Sequence, residues 1–435
     1  MKRTGHADLP LHSGTVPKWL ADRMRDLGTL IIESLVLNYG KDEVLLRLSD
    51  PLWFQSLGAV LGMDWHSSGI TTSVMYALKR GLNPRAHELG ICVCGGRGKY
   101  SRKTPDELLF LSNAAGLNGD ELIRASKLCA KVDNTALQDG FQLYQHNFIV
   151  TNTGNWAVVQ QGMNGQTRTA RRYHWCSLDL QSFVNEPHAA VVGENAGTIL
   201  NLTDVNAADT RSSILTIAGE RPDKVIAEAA KIFEDKGLVK SFAASTDQLE
   251  LFSGNDSPEI AAGHGDSRVL TSSNYKTLVM PAHHEVLPQD VDLKRLGAVL
   301  ATAYGNQSEN FEDLLLTQGL GPRTLQALTL VSEVIYGTPS RFNDPARFSF
   351  AHGGKDGHPF PVPLNVYDES IEVLGDCIEK SKLGYNEKSD CLRRLHQTAL
   401  NIEENCDPKA DFDALLAHER RNSRGLGGKT VGGDV

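Results

Sequence analysis

Gly319-Leu320-Gly321-Pro322 restricts the fold of this chain more than any other stretch. It stands between Leu314-Leu315-Leu316 and Leu325 to Leu328, two apolar runs of helical spacing. A left-handed conformation costs glycine little, so Gly319 closes the first helix. Pro322 opens the second, because the first N–H of a helix has no internal partner to lose. Leu320 and Leu328 are expected to pack the two helices together. Whatever else forms, residues 314–328 must contain a tight helical hairpin.

That hairpin resembles a helix-hairpin-helix element. Gly321 lets the backbone approach a ligand closely. The free amides at the helix start, with Arg323 and Thr324 beside them, suit a phosphate. Such an element holds DNA by its backbone without reading sequence. The plain alternative is a helical hairpin turned by two glycines.

Around it, the pattern changes along the chain. Residues 1–135 read mostly as helices, including 17–39, 52–61, 69–82, 105–115 and 119–131. Phe148 to Thr151 and Trp156 to Gln161, joined by Asn152-Thr153-Gly154-Asn155, read as a β-hairpin. Residues 189–192 and 198–203 add short strands, and 223–236 return to helix. Helical periodicity resumes at 293–304, 311–317, 322–336, 367–382 and 386–404. The expected fold class is α+β: an N-terminal helical region with a β-hairpin and small sheet, then an all-α C-terminal domain of helix-hairpin-helix type. The expected divisions are an α+β catalytic domain at 1–245, a Ser-, Asp- and Gly-rich connection at 246–290, a helical domain at 291–405 and a disordered tail at 406–435.

The 435 residues carry 44 Lys and Arg against 53 Asp and Glu, a formal charge of −9, which on average disfavours nucleic acid. The positive charge is uneven, however, gathering at 97–103, 168–172, 393–394 and 420–424. No segment is apolar enough to cross a bilayer: the best, Leu27 to Leu37, contains Glu33 and Ser34. Met1 to His6 runs into Ala-Asp-Leu-Pro, so no signal peptide is expected. Seven scattered cysteines fit reduced thiols in a cytoplasm. Cys92 and Cys94 are too closely spaced for a zinc knuckle and have no companion pair. Gly98-Lys99 lacks the earlier glycine and following Ser or Thr of a Walker loop.

Polar residues around the β-hairpin form the candidate chemistry. Asp133 and Asp139 precede it, His146 follows them, and Gln160 and Gln161 lie on its second strand. Carboxylates, a histidine and a strand amide suit hydrolysis of a phosphodiester by a divalent metal, Mg or Mn. Asp133, Asp139 and His146 are the candidate ligands, and Gln161 would stand where nucleases carry an acid. A hydrogen-bonded network supporting the hairpin is the other reading. Arg171 and Arg172, with Arg168 before them and His174 after, suit a phosphate whose charge develops during cleavage. His352 and Lys355, near the glycines of Gly353-Gly354-Lys355-Asp356-Gly357, are further candidates for DNA contact. His66 and the pair His283-His284 are weaker ones.

Two resemblances bear on these readings. Gly337-Thr338-Pro339 followed by Asp344, after the hairpin, resembles base-excision glycosylases of the endonuclease III type, which implies Asp344 as the catalytic aspartate that assists departure of a flipped base. Arg323 departs from that pattern, standing where the lyase members carry a Schiff-base lysine. Other motifs extend over most of the chain: Arg3 to His12, Gly62-Met63-Asp64-Trp65-His66-Ser67-Ser68-Gly69, Gln138 to Tyr144, Trp156 to Met163, Ala170 to Trp175, Pro281 to His284 and Phe350 to Gly357. By these, residues 3 to 400 resemble the family catalogued as domain of unknown function 763. The resemblance implies a bacterial or archaeal cytoplasmic protein and carries no mechanism. The function expected is DNA processing, as a metal-dependent nuclease of DNA repair. A glycosylase using Asp344 and a non-catalytic DNA-binding scaffold are the alternatives, with DNA the partner in each.

Overall fold

A computed structural model describes residues 9–10, 16, 18–63, 69–235, 293–346 and 364–403. His66, His283, His284, His352, Lys355, the 246–290 connection and the 406–435 tail lie outside them.

After a short strand β1 (Leu9–Pro10), the chain forms α1 (Lys18–Tyr39), α2 (Lys41–Ser49), α3 (Pro51–Val60), α4 (Gly69–Leu82) and α5 (Ala86–Leu89). Met24, Leu27, Ile31 and Leu35 of α1 recur at helical spacing and are buried. Asp50 both ends α2 and caps α3, its Oδ1 accepting from the N–H groups of Leu52 (2.7 Å) and Trp53 (3.0 Å). Strand β2 (Ile91–Arg97) leads to α6 (Thr104–Ala115) and α7 (Gly119–Lys131). A π-turn over Val132–Ala136 then precedes β3 (Leu137–Gln138), β4 (Gln142–Thr151), β5 (Trp156–Asn164), β6 (Thr169–Cys176), β7 (Ala190–Val192) and β8 (Thr198–Asn201). Helices α8 (Ala208–Gly219), α9 (Pro222–Asp235), α10 (Leu293–Asn306), α11 (Phe311–Leu316) and α12 (Pro322–Tyr336) follow. Strand β9 (Phe342–Asn343) and helices α13 (Leu364–Lys380) and α14 (Tyr385–Glu403) complete the described chain.

The main sheet is antiparallel, ordered β1-β6-β5-β4-β2, with β7 also pairing β6. A second sheet, β3-β8-β9, ties the middle of the chain to residues 342–343. On one face of the main sheet, Ile149, Ala157, Val159 and Cys176 join α1–α4. On the other, Phe148, Val158 and Trp175 join α6–α8 and α10–α12.

The C-terminal helices do not keep to a core of their own. Leu300, Leu314, Leu325 and Leu328 belong to the second core, whereas Leu374, Ile378 and Leu395 belong to the first. The physical reason is cover: each sheet face needs a full apolar layer, and the N-terminal helices alone do not supply both. The fold is therefore α+β, with helices on both faces of one sheet and a helical C-terminal region divided between them.

Candidate functional site

Strand β6 decides where the sequence candidates go. Its neighbours in register are Gln161 opposite Arg172, Gln160 opposite Tyr173 and Val159 opposite His174. Successive side chains on a strand point to opposite faces, so Arg171 and Tyr173 are separated from Arg172 and His174 by the sheet itself. Gln161 shares the second face, and His146, opposite Gln160, the first. Asp139, His146 and His174 therefore do not converge.

On the first face, Asp133 closes a chain of hydrogen bonds. Gln160 Nε2 donates to its Oδ2 at 2.6 Å and Trp175 Nε1 to the same oxygen at 3.0 Å. His188 Nε2 reaches Oδ1. Gln160 turns its Oε1 to His146 Nδ1 at 2.7 Å, and Ser126 Oγ lies 2.8 Å from His146 Nε2. Because the amide NH2 of Gln160 is committed to Asp133, its oxygen accepts. His146 thus carries its proton on Nδ1 and accepts from Ser126 at Nε2. Burial pulls the His146 pKa down, keeping the ring neutral.

The second cluster on that face centres on Arg171. Its Nη1 lies 3.0 Å from both Asp139 Oδ2 and Asp344 Oδ2, and its Nη2 reaches the Glu194 carbonyl. The guanidinium lies 4.7 Å from the Phe141 ring centroid. Asp139 also accepts from Tyr173 Oη at 2.7 Å. Asp344 accepts from the Ala196 and Ala346 N–H groups at 2.8 and 2.9 Å. All three charged side chains are buried, and two carboxylates share one cation. Burial raises the Asp139 pKa to about 6 against the pull of Arg171, with Asp344 adding to the rise.

On the opposite face Arg172 is fully buried, with Nη2 on Gln55 Oε1 at 2.9 Å and the guanidinium over Phe54. Its Nε donates to His174 Nε2 at 2.8 Å, so His174 Nδ1 carries the proton and donates to the Leu48 carbonyl. Burial holds the Arg172 pKa down to about 9, and holds that of His174 well below the ordinary value. Gln161 donates to the Tyr144 hydroxyl. The expectation that Arg171, Arg172 and His174 face a scissile phosphate is corrected here: all three are buried side chains joining the sheet to the layers around it.

The metal expectation meets the same geometry. Asp133 and Asp139 lie in separate clusters, and both oxygens of Asp133 already meet nitrogen-borne hydrogen-bonding groups. Among the described residues no group of three or more His, Cys, Asp or Glu is placed to hold a metal ion. The side chains present do not fit the oxygen-rich shell that Mg or Mn requires.

Two exposed features lie elsewhere. The α11–α12 turn follows its expected form: Gly319 has a φ of 83°, Leu320 is buried, Gly321 caps α12 and Pro322 is its first residue. Gln318, Gly319 and Arg323 are exposed. Lys131 Nζ holds the Leu320 carbonyl at 2.6 Å and Gln138 Nε2 the Pro322 carbonyl at 2.8 Å. Thr324 is buried, and its Oγ1 has no hydrogen-bond partner among the described residues. Arg124 pairs with Asp313 at 2.8 Å, offsetting negative charge on α11.

The other feature runs from the end of β2 toward α6. Arg97, Lys99, Arg102 and Lys103 are exposed and make no ion pair among the described residues. Lys99 and Lys103 flank the half-exposed Tyr100, with Nζ at 5.6 and 5.7 Å from its ring centroid. Arg97 stands 5.7 Å from the centroid of Tyr144. Sequence reading had the cations without their tyrosines. It also missed Ser126 and His188: Ser126 is one serine among many on helices, and His188 lies in an irregular stretch with no period to place it.

A sheet between two helical layers, knitted by buried ionic and hydrogen-bonded clusters, defines an α+β protein in which the chemistry-bearing strand residues are internal. The chain belongs to the family described as protein of unknown function (DUF763), whose profile matches residues 5–362. No curated protein and no solved structure matches it. Among the described residues, no helix is long and apolar enough to cross a membrane.

Proposed function

We propose that the protein binds the phosphate backbone of DNA through Gly319, Gly321 and Arg323, with Thr324 buried behind them, and with Arg97, Lys99, Arg102 and Lys103 as a second contact. The observation that carries this reading is the α11–α12 turn. It presents a helix start at the surface, with Gly321 open to close approach and Arg323 beside it. The run of cations without carboxylate partners among the described residues supports it, because such charge on a net acidic protein marks a place for an anion.

Binding is favoured over hydrolysis or base excision at the candidate residues. Asp133 and Asp139 are held apart by their partners, and Asp344 is buried beneath Arg171 and two amides. The reading is thus of a backbone-binding protein, the scaffold member of the three alternatives.

Fluorescence anisotropy with a labelled duplex tests it. With about four phosphate contacts, affinity should fall roughly 100-fold between about 50 and 200 mM salt. Arg323→Ala should weaken binding equally on unrelated sequences. An absence of binding at the lower salt overturns the proposal. Cleavage in Mg²⁺ or Mn²⁺ that EDTA abolishes would restore the nuclease reading and place its chemistry on other residues.

A further inference from the structure

Tyr100 stands half-exposed on the short connection between β2 and α6. Gly98, with a left-handed φ of 58°, turns the chain out of the strand, and Gly98–Lys103 winds into a 3-10 segment. Two side chains brace that segment. Ser101 Oγ donates to the Gly98 carbonyl at 2.6 Å, and Thr104 Oγ1 to the Ser101 carbonyl at 2.8 Å. Gly96 packs so closely on Tyr100 that an added Cβ would lie 3.2 Å from the tyrosine Cβ. The ring is therefore held in place before any ligand arrives.

Cations gather around it. Lys99 and Lys103 place Nζ 5.6 and 5.7 Å from its centroid, within range of a cation–π contact. Arg97, opposite Gln145 in register, lies over Tyr144, whose hydroxyl is held by Gln161. Arg97, Lys99, Arg102 and Lys103 are all exposed. Of the two carboxylates that follow, Glu107 is committed to Lys79 Nζ at 2.7 Å and to the Gly95 N–H at 2.7 Å. Asp106 makes no ion pair among the described residues.

We propose that Tyr100 is a stacking platform for an unpaired base, with Arg97, Lys99, Arg102 and Lys103 holding the neighbouring phosphates, so that the DNA bound by this protein carries a single-stranded segment. The inference rests on the reading of the protein as a DNA-backbone binder and adds the class of DNA.

Charge alone would fit a duplex equally well, and the ring decides between the two. In a duplex each base face is covered by its neighbours. An unpaired base has free faces, and every base has a face to stack, so contact of this kind is independent of sequence. Because the loop is braced beforehand, stacking costs little ordering on the protein side. Helix α6 offers a comparison. Phe110 is 79% exposed there, yet among the described residues no cation lies over its ring, and Asp106 stands four residues before it on the same side of the helix. An exposed ring without cations beside it lacks the means to hold a phosphate, so Phe110 serves as the control.

The full chain would be titrated at low salt, by fluorescence anisotropy, into a labelled oligothymidylate and a labelled blunt duplex of equal length. Tyr100→Ala should weaken oligothymidylate binding roughly 5-fold to 100-fold, the range measured for loss of one base–aromatic stack. It should leave the duplex curve in place. Tyr100→Phe should bind both as the wild type does, and Phe110→Ala likewise. In the wild type, an oligothymidylate carrying 5-iodouracil should cross-link on irradiation to the peptide that contains Tyr100. Unchanged oligothymidylate binding by Y100A overturns the inference, as does cross-linking confined to other peptides. If the duplex binds and the oligothymidylate does not, this inference falls and the duplex reading stands. If neither binds, both fall.

Discussion

Arg171 shows how much a single buried side chain can decide. It supplies the positive charge between Asp139 and Asp344, and removing one partner of a buried ionic group costs far more than the interaction itself gains. Arg171→Leu should lower stability by about 3–5 kcal/mol in urea titrations. Adding Asp139→Asn and Asp344→Asn to that variant should recover part of the loss. Asp139 also predicts a pH effect of unusual sign. Its folded pKa is near 6, whereas an unfolded aspartate releases its proton near 4. A raised folded value favours the fold fully below about pH 4, and that contribution is lost as pH rises through about 6. Wild-type stability should therefore contain a component that declines over this window, and Asp139→Asn should remove it. Calorimetric unfolding at stepped pH would show the two curves keeping a constant separation if Asp139 is not the source.

At the scale of elements, the helices were legible and the site was not. Periodicity and the Gly and Pro signals marked α4, α7, α11 and α12 to within a residue, most clearly α12, which opens on Pro322 and ends at the left-handed Gly337. Strand β2 escaped notice because Cys-Gly-Gly dilutes its short alternation. Strand β6 was seen as a basic run beside aromatics, which fits an exposed surface as well as an interior. Only its place between β5 and the strands β1 and β7 makes it internal, and long-range pairing of that kind leaves no local trace. The α11–α12 turn allows a finer prediction. Gly319 has the left-handed φ of 83°, so Gly319→Ala should cost roughly 1–2 kcal/mol in chemical denaturation. Gly321 has an ordinary φ, and an added Cβ there would meet nothing within 4 Å. Gly321→Ala should leave the melting temperature unchanged while weakening DNA binding several-fold. Unchanged anisotropy curves for that variant would remove the turn from the proposed interface.

The molecule as a whole is cross-braced between the ends of its chain. Glu33 on α1 accepts from Arg85 and, at 2.7 Å, from Lys382 after α13, contacts that lower its pKa to about 2. Each apolar core takes residues from both N-terminal and C-terminal helices, and the main sheet is common to both. Heat or urea should accordingly produce one transition, with tryptophan fluorescence and far-ultraviolet dichroism superimposing. Two separated transitions would mean that the cores melt independently. The adjacent arginines of β6 have a consequence for how the sheet is assembled. Apolar strands tolerate sliding, since one aliphatic contact replaces another at small cost. A slip of β6 by one residue in either direction seats at most one of the two guanidinium groups in the other's place and leaves the second without its acceptors. Misaligned compact states then carry unpaired charge at several kcal/mol each. The two buried guanidinium groups thus proofread strand alignment, rejecting out-of-register sheets that hydrophobic collapse alone would accept.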